Sequence, residues 1–163
     1  GRDAWMGEER DTSFVVPTYP ESDYPVVERD DSKIRTFASE LLDDAPAQLI
    51  DARPAAFYNG ETTDPDQPPL PTLRHGHIPG ATSVPWGRSV HPNARFRPLD
   101  DIREIYKDFD PKKRTVVYCQ LGESSSHTWY VLHNILGFED VALYDGSWAE
   151  WGNMVRVPIA KGE

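Results

Sequence analysis

The single cysteine of this chain lies where the sequence turns from a strand into a helix. Residues 115–119 (TVVYC) have the β-branched and aromatic composition of a buried strand that ends at Cys119. Residues 125–136 (SSHTWYVLHNIL) have the apolar spacing of a helix. The segment between them is short, with the sequence CQLGES. In an open parallel sheet, ligands bind just outside the carboxyl ends of the strands, so this loop is a candidate reaction site.

The loop has the features that activate a thiol. A strand-to-helix loop can point several backbone N–H groups at one anion, and Gly122 gives the loop freedom at positive φ. A sulfur at its base lies near the positive end of the helix, which favours the thiolate, the nucleophilic form of cysteine. The alternative is a buried Cys119 that packs as a small apolar side chain.

Alternating strands and helices must position this loop. The predicted strands are residues 48–51, 82–84, 114–118 and 141–144. The predicted helices are residues 32–42, 99–108 and 125–136, the last closed by Gly137. This alternation predicts an α/β fold with an open parallel sheet of about five strands and helices on both faces.

Two of these helices have predicted apolar faces. The first, capped by Asp31 or Ser32, presents Ile34, Phe37, Ala38, Leu41 and Leu42. The second presents Leu99, Ile102, Ile105 and Tyr106. Residues 60–74 are predicted to be a loop from their glycine, proline and polar content.

Composition excludes several classes of function. The chain has 163 residues, with 17 basic and 27 acidic side chains and a formal charge of −10, which argues against nucleic-acid or anionic-membrane partners. One cysteine rules out an internal disulfide and a multi-cysteine zinc site. No apolar run approaches the roughly 20 residues that span a bilayer, and no signal peptide is visible. We expect one domain in the cytoplasm.

The first 31 residues have a different character. They are acidic, with prolines at positions 17, 20 and 25, and are predicted to form an extended arm before a domain at residues 32–163. The arm also carries many apolar side chains: Trp5, Met6, Phe14, Val15, Val16, Tyr19, Tyr24, Val26 and Val27. It either folds back on its own domain or packs on a domain that this chain lacks. Because the chain begins with Gly1 rather than Met, we expect a fragment or a processed product.

Four motifs occur in a characteristic order. They are LIDARPAAFYNGE at 49–61, GHIPGATSVPW at 76–86, CQLGESSSHTW at 119–129 and YDGSWAEWGN at 144–153. Together they resemble the C-terminal catalytic domain of the two-domain thiosulfate sulfurtransferases of the rhodanese superfamily. The resemblance implies a rhodanese-like fold, a reactive Cys119 and a first rhodanese domain that is missing here, although a second copy of the chain is another possible partner for the arm.

The resemblance also implies a ping-pong reaction. The Cys119 thiolate takes the outer sulfur of a donor such as thiosulfate and becomes a persulfide. Cyanide or a thiol acceptor then removes that sulfur. The reaction requires neither a metal nor an organic cofactor. The active-site loop in this chain is Gln120, Leu121, Gly122, Glu123, Ser124 and Ser125.

Other residues carry over from the family by position. Arg53, in the Asp-x-Arg that begins at Asp51, either reaches the active-site cleft or forms a structural ion pair. Arg74 and His75 precede the second motif and are expected to bind substrate, and Trp148 is either core or a wall beside the cysteine.

The loop hydroxyls and two histidines leave further alternatives. Ser124, Ser125 and Ser126 suit either a persulfide donor or a helix N-cap, and we expect Ser124 to be the donor. His75 and His77 lie two residues apart, but without a third ligand they are interpreted as an ordinary loop pair rather than a metal site.

The chain departs from the family in its charges. Related thiosulfate enzymes have basic side chains where this chain has Gln120 and Ser124, and Glu123 adds a negative charge. The related 3-mercaptopyruvate sulfurtransferases have arginines where this chain has Phe57 and Asn59. A non-catalytic rhodanese module that binds a protein partner is therefore a further alternative. A phosphatase of related fold is disfavoured, because its loop needs an arginine to hold phosphate.

Overall fold

A parallel sheet forms the centre of the chain, and the computed structural model describes residues 1–28, 30–61 and 72–162. Within these residues the sheet has five strands. They are β1 (Arg35–Thr36), β2 (Gln48–Asp51), β3 (Ala81–Ser83), β4 (Thr115–Tyr118) and β5 (Val141–Tyr144). The helices are α1 (Arg2–Gly7), α2 (Ala38–Asp43), α3 (Ala55–Tyr58), α4 (Leu99–Ile105), α5 (Glu123–Tyr130) and α6 (Ser147–Trp151). The predicted α/β class is confirmed.

The order of the strands places two loops side by side at the carboxyl ends of the central strands. The order is β1-β5-β4-β2-β3, and every neighbouring pair is parallel. After β4 the chain moves outward to β5 on one side, and after β2 it moves outward to β3 on the other. The loops that follow β4 and β2 therefore lie at the switch point of the sheet, where open α/β folds bind ligands.

Strand β4 separates two buried clusters. All four of its residues are buried, and alternate side chains point to opposite faces of the sheet. Val116 and Tyr118 join a cluster with residues of α2 and α6, whereas Val117 joins one with residues of α4 and of the segment after α5. Cys119 continues the second set, so its side chain lies on the face that contains Ile102, Val131 and Leu132.

The predicted helix at residues 32–42 is wrong over its first part. Arg35 and Thr36 form the edge strand β1, which pairs with Leu143 and Tyr144 of β5. Helix α2 begins only at Ala38. At its N-terminus the Phe37 amide donates a hydrogen bond to the Glu40 carboxylate. Pairing with β5 overrides the apolar spacing of the sequence here. Of the predicted apolar face, Ala38 and Leu41 are buried, whereas three side chains are about half exposed: Ile34, Phe37 and Leu42.

The other elements lie close to their predicted positions. Helix α4 ends at Ile105, and Leu99, expected to point inward, is 41% exposed. Helix α5 continues as a π-helical turn over Val131–Ile135, with the Leu136 amide bonded to the Val131 carbonyl, before Gly137 at positive φ. Most of the predicted loop at 60–74 falls on residues 62–71, outside the described residues.

The N-terminal arm (residues 1–31) has few described contacts with the sheet domain. Helix α1 buries none of its residues, and residues 8–28 contain neither helix nor strand. Contacts occur where the Gly1 amine lies 3.5 Å from the Ala94 carbonyl and Glu8 pairs with Arg95. In the part of the chain that the structure describes, no helix combines the length and apolar character needed to cross a bilayer.

Candidate active site

The sulfur of Cys119 lies buried at the base of the loop between β4 and α5. Cys119 is 3% exposed, and its Sγ accepts two hydrogen bonds. The amide of Gly122 donates at 3.2 Å and the hydroxyl of Ser125 at 3.4 Å. Both donors are uncharged, so the site stabilises negative charge on sulfur with dipoles alone. The serine that donates to Sγ is Ser125, which is fully buried. The expectation that Ser124 donates to the outer sulfur of a persulfide stays a prediction.

The turn of the loop requires glycine at position 122. Gly122 has φ 98°, a left-handed conformation that is costly for other residues. A methyl group at this position would lie 2.7 Å from Oδ1 of Asp145, so the close approach also excludes a side chain. Asp145 is held by an ion pair with Arg35 of β1, at 2.5 Å. This geometry aims the Gly122 amide at the sulfur.

The start of helix α6 holds the backbone of Cys119, the candidate nucleophile. The Trp148 amide donates to the Cys119 carbonyl at 3.0 Å, and the Ala149 amide donates to the Gln120 carbonyl at 3.0 Å. The Cys119 amide donates to Oγ of Ser147 at 3.2 Å, and that hydroxyl donates to the Tyr144 carbonyl at 2.9 Å. Both polar backbone groups of Cys119 are thus bonded to two consecutive residues of α6.

Ser147 was not among the residues selected from the sequence. It is fully buried and has φ 52°, a strained value for a residue with a side chain. Its place in the motif YDGSWAEWGN gave the only available signal. Its contact with Cys119 joins residues 28 positions apart, so no local pattern could reveal it.

Arg53 forms a buried ion pair beneath the loop. It is 3% exposed, and its guanidinium bonds both carboxylate oxygens of Asp51, the closer at 2.6 Å, and the Gly76 carbonyl at 2.6 Å. It also lies over the ring of Trp148, 4.5 Å from the centroid. The geometry favours the structural interpretation of Arg53 over contact with substrate.

Tyr118 completes this buried network. Its hydroxyl accepts a hydrogen bond from the Ile78 amide at 3.1 Å. Burial raises the pKa of the Tyr118 phenol well above its usual value, and the charge of Asp51 acts in the same direction. The residue before the nucleophile therefore remains a neutral anchor for the loop after β2.

Arg74, expected to bind substrate, and Trp148, interpreted as either core or a wall beside the cysteine, both make contacts within the fold. The Arg74 guanidinium donates to four backbone carbonyls near the end of α6: Trp151, Gly152, Met154 and Val157. Trp148 is 1% exposed, and its indole N–H donates to the Arg74 carbonyl at 3.1 Å. Since carbonyls at a helix end attract cations, Arg74 stabilises the end of α6.

The two histidines lie in different environments. His77 is buried, stacks on Tyr58 at 3.6 Å and bonds the Tyr58 carbonyl through Nδ1 at 2.8 Å. His75 is half-buried in a separate cavity of about 640 Å³, none of whose lining residues belongs to the Cys119 loop. Across residues 1–28, 30–61 and 72–162, no group of three or more histidine, cysteine or acidic side chains could hold a metal ion.

The mouth of the loop is uncharged or acidic. Leu121 is 43% exposed, Glu123 is exposed, and Gln120 and Ser124 are half-buried. The loop itself contains no lysine or arginine. With Arg53 and Arg74 both bonded within the fold, neither guanidinium replaces the missing loop cation.

The fold and this loop agree with the comparisons with known proteins. The family described as "Rhodanese-like domain" matches residues 35–154, more than half of the chain. The chain belongs to the rhodanese-like domain family. The solved structure of wild-type EanB matches with a TM-score of 0.78 at 25% identity, over 100% of this chain and 40% of that one.

Two curated relatives align with the whole chain. A thiosulfate sulfurtransferase of Corynebacterium glutamicum is 50% identical over 172 residues, and the chain covers 56% of its length. The sulfur carrier protein TtuD of Thermus thermophilus is 43% identical over 172 residues, with 60% of its length covered. The chain thus spans little more than half the length of these relatives.

Replacing Arg53 should damage the fold rather than donor binding. Arg53→Ala leaves the Asp51 carboxylate buried without its partner, which should lower the free energy of unfolding by about 3–5 kcal/mol. Urea unfolding measures this change. Arg103→Ala removes the same charge from an exposed pair and should change stability little. A variant of Arg53 that is as stable as the Arg103 control, but binds donor more weakly, would contradict the assignment.

Proposed function

We propose that this chain is the catalytic part of a sulfurtransferase that moves sulfane sulfur through a persulfide on Cys119. The observation that carries the proposal is the pair of hydrogen bonds from Gly122 and Ser125 to a buried sulfur at the switch point of a rhodanese-like sheet. The 50% identity to a thiosulfate sulfurtransferase supports the same reaction class.

The first step loads the enzyme with sulfur. The Cys119 thiolate attacks the outer sulfur of the donor and forms a new S–S bond. The S–S bond of the donor breaks, and its remaining part leaves with the electron pair, as sulfite when the donor is thiosulfate. The negative charge then lies on the outer sulfur of the Cys119 persulfide.

The second step returns the enzyme to its starting state. A nucleophilic acceptor, cyanide or a thiolate, attacks the outer sulfur, and the electron pair of the broken S–S bond returns to Sγ. The product is thiocyanate or a new persulfide. The first turn of α5 leaves backbone N–H groups without helical partners, and we assign these to the anionic outer sulfur. Neither step uses a metal or an organic cofactor.

The absence of a cation from the loop sequence bears on the choice of donor. Thiosulfate carries two negative charges, and a site that binds it must offset their desolvation. In this chain the donors around the sulfur are uncharged, Glu123 is exposed beside them, and Arg74 is bonded to carbonyls. We propose that thiosulfate is a poor donor for this site and that a less charged donor, or a persulfide carried by another protein, is a better one.

The 3-mercaptopyruvate alternative gains no support from the structure. The two positions that carry arginine in those enzymes are Phe57, which is buried, and Asn59, whose amide donates to Glu61 at 3.1 Å. A non-catalytic module that binds a protein partner remains the second candidate. The loop sequence contains Glu123 but no lysine or arginine, so it offers no positive charge to an anionic donor.

We further propose a partner for the N-terminal arm. Seven of its apolar side chains are each at least 71% exposed: Phe14, Val15, Val16, Tyr19, Tyr24, Val26 and Val27. This chain covers only 56% and 60% of the length of the two relatives. The described residues of the arm are almost all exposed. We assign these side chains to contacts with a rhodanese-like domain of a longer protein, or with a second copy of this chain. A reducing cytoplasm, which keeps Cys119 as a thiol, is the proposed compartment.

Sulfur loading should depend on Cys119. Incubation with a sulfur donor should add the mass of one sulfur atom to the chain, and cyanide or dithiothreitol should remove it. Prior alkylation of Cys119 with iodoacetamide should block the addition, as should Cys119→Ser. Transfer by the Cys119→Ser protein would overturn the proposed function. A Cys119 that resists both alkylation and loading would favour the partner-binding module.

Adding a cation to the loop should improve the use of thiosulfate. Gln120→Arg or Ser124→Arg introduces a charge-assisted hydrogen bond, which should lower the KM for thiosulfate by roughly tenfold to a hundredfold. The reaction should also become more sensitive to salt. Steady-state kinetics in the protein at its natural length measure both effects. Ser126→Arg, on the exposed side of α5, is the matched control for charge. Equal KM values in all three variants would refute the charge account.

The arm should be the first part of the isolated chain to be cut by a protease. Exposed backbone without secondary structure is the usual site of proteolytic nicking. Limited proteolysis followed by mass spectrometry should locate the first cuts within residues 8–28, and sedimentation should establish the number of copies. Complete protection of the arm in a proven monomer would show that it packs on its own domain.

A further inference from the structure

The hydroxyl of Ser125 has two acceptors and one proton. Its Oγ lies 3.0 Å from the Gly122 carbonyl and 3.4 Å from Sγ of Cys119. A hydroxyl proton points to one acceptor at a time. Because Ser125 is fully buried, solvent does not compete for the proton. The Ser125 hydroxyl can therefore donate either to the Gly122 carbonyl or to Sγ of Cys119, but not to both at once.

The Gly122 carbonyl does not depend on Ser125. It also accepts a hydrogen bond from the Ser126 amide at 3.1 Å, so it keeps a partner when the hydroxyl turns away. The Gly122 amide, by contrast, is a backbone donor fixed on the sulfur at 3.2 Å. The site thus combines one permanent donor to Sγ with one donor that can turn towards Sγ or away from it.

We propose that Ser125 is a catalytic residue whose hydroxyl follows the charge on Sγ through the reaction cycle. The inference rests on the sulfur transfer proposed above. When Sγ carries the charge of the attacking thiolate, the hydroxyl donates to it, because hydrogen bonds to charged acceptors are the stronger ones. Once Sγ has given its electron pair to the new S–S bond, it is uncharged, and the hydroxyl turns to the Gly122 carbonyl.

The second step gains most from this motion. When the acceptor attacks the outer sulfur, the S–S bond breaks and its electron pair returns to Sγ. Negative charge then builds on Sγ, and the Ser125 hydroxyl turns back to stabilise it as a leaving group. No proton is transferred in either direction, since the hydroxyl only changes its acceptor. Removal of sulfur from the enzyme should therefore slow more than loading when the hydroxyl is lost.

The neighbouring Ser126 provides a matched control. It is exposed, and its hydroxyl donates to the Glu123 carbonyl at 2.6 Å. Ser126→Ala removes a hydroxyl from the same helical turn without removing a donor to Sγ. Only Ser125→Ala tests the proposed contact.

Two measurements on the 163-residue chain test the proposal. The first is the rate at which cyanide discharges the Cys119 persulfide, followed by rapid quenching and intact mass. Ser125→Ala should slow it by about tenfold, whereas Ser126→Ala should match the wild type. The second is the pH midpoint of Cys119 alkylation by iodoacetamide, which should rise by about one unit in Ser125→Ala alone.

The other charged groups around the loop are the same in Ser125→Ala and Ser126→Ala. They are the Asp51–Arg53 pair beneath the loop, Glu123, Asp145 with its partner Arg35, and His127 on α5, whose pKa is lowered by burial. A shift in the alkylation midpoint that is specific to Ser125→Ala therefore reports the lost hydroxyl. A purely structural role would lower the melting temperature without moving this midpoint.

A second pair of variants covers a loss of stability in Ser125→Ala. Ser125→Thr keeps a hydroxyl and Ser125→Val does not, while both add the same volume. The Thr variant should retain the wild-type midpoint and the Val variant should not. Equal midpoints and discharge rates in the Thr and Val variants would refute the role of the hydroxyl.

Failure of the proposed function is distinguishable from failure of this inference. A wild-type chain that never acquires sulfur refutes the sulfur transfer. A wild-type chain that loads and discharges sulfur at rates equal to those of Ser125→Ala, with equal alkylation midpoints, refutes only the role of Ser125.

Discussion

The hydrogen bonds between the backbone of Cys119 and the start of α6 are the interaction on which the site depends. Strand β4 ends at Tyr118, so the sheet no longer fixes the next residue. Ser147 and Trp148 take over this task by bonding the amide and the carbonyl of Cys119. Without these bonds the loop would not be held in a fixed position relative to the sheet, and the Gly122 amide would no longer point at Sγ.

Each of these two residues is itself held in place. Trp148 lies beneath the Arg53 guanidinium, and its indole bonds the Arg74 carbonyl. Ser147 bonds the Tyr144 carbonyl at the end of β5. The buried charges of Asp51 and Arg53 therefore act on Cys119 indirectly, by fixing the ring of Trp148 at the start of α6. The guanidinium groups of Arg53 and Arg74 are both bonded within the fold, although each residue lies in or next to a motif of the family.

The sequence predicted the fold class and the position of the Cys119 loop because local signals specify both. The run Thr-Val-Val-Tyr is β-branched and aromatic and is fully buried, and Gly122 marks the turn that follows it. The sequence wrongly predicted helix at Arg35 and Thr36, because a two-residue edge strand is specified only by its pairing with β5. It did not single out Ser125 as the donor to Sγ, because the residue of the first helical turn that faces the sulfur depends on the exact path of the loop.

Long-range contacts account for the other differences. Arg74 lies next to a motif, which suggested contact with substrate, but its partners are carbonyls 77 to 83 residues away. Ser147 meets Cys119 across 28 residues. Residue type and spacing describe what a side chain can do, whereas only the packing of α6 against the loop decides what these side chains actually contact.

The close approach of Asp145 to Gly122 constrains how this site can evolve. The φ of 98° at Gly122 is costly for any residue with a side chain, and a Cβ there would also lie 2.7 Å from the Asp145 carboxylate and 3.1 Å from the Asp145 backbone carbonyl. Loss of the Asp145 side chain alone therefore does not open position 122 to substitution. Arg35 would then keep Asp31 as its ion-pair partner, so this loss would not free its guanidinium for the loop. A cationic descendant of this site must gain its charge at another position of the loop, with Gly122 retained.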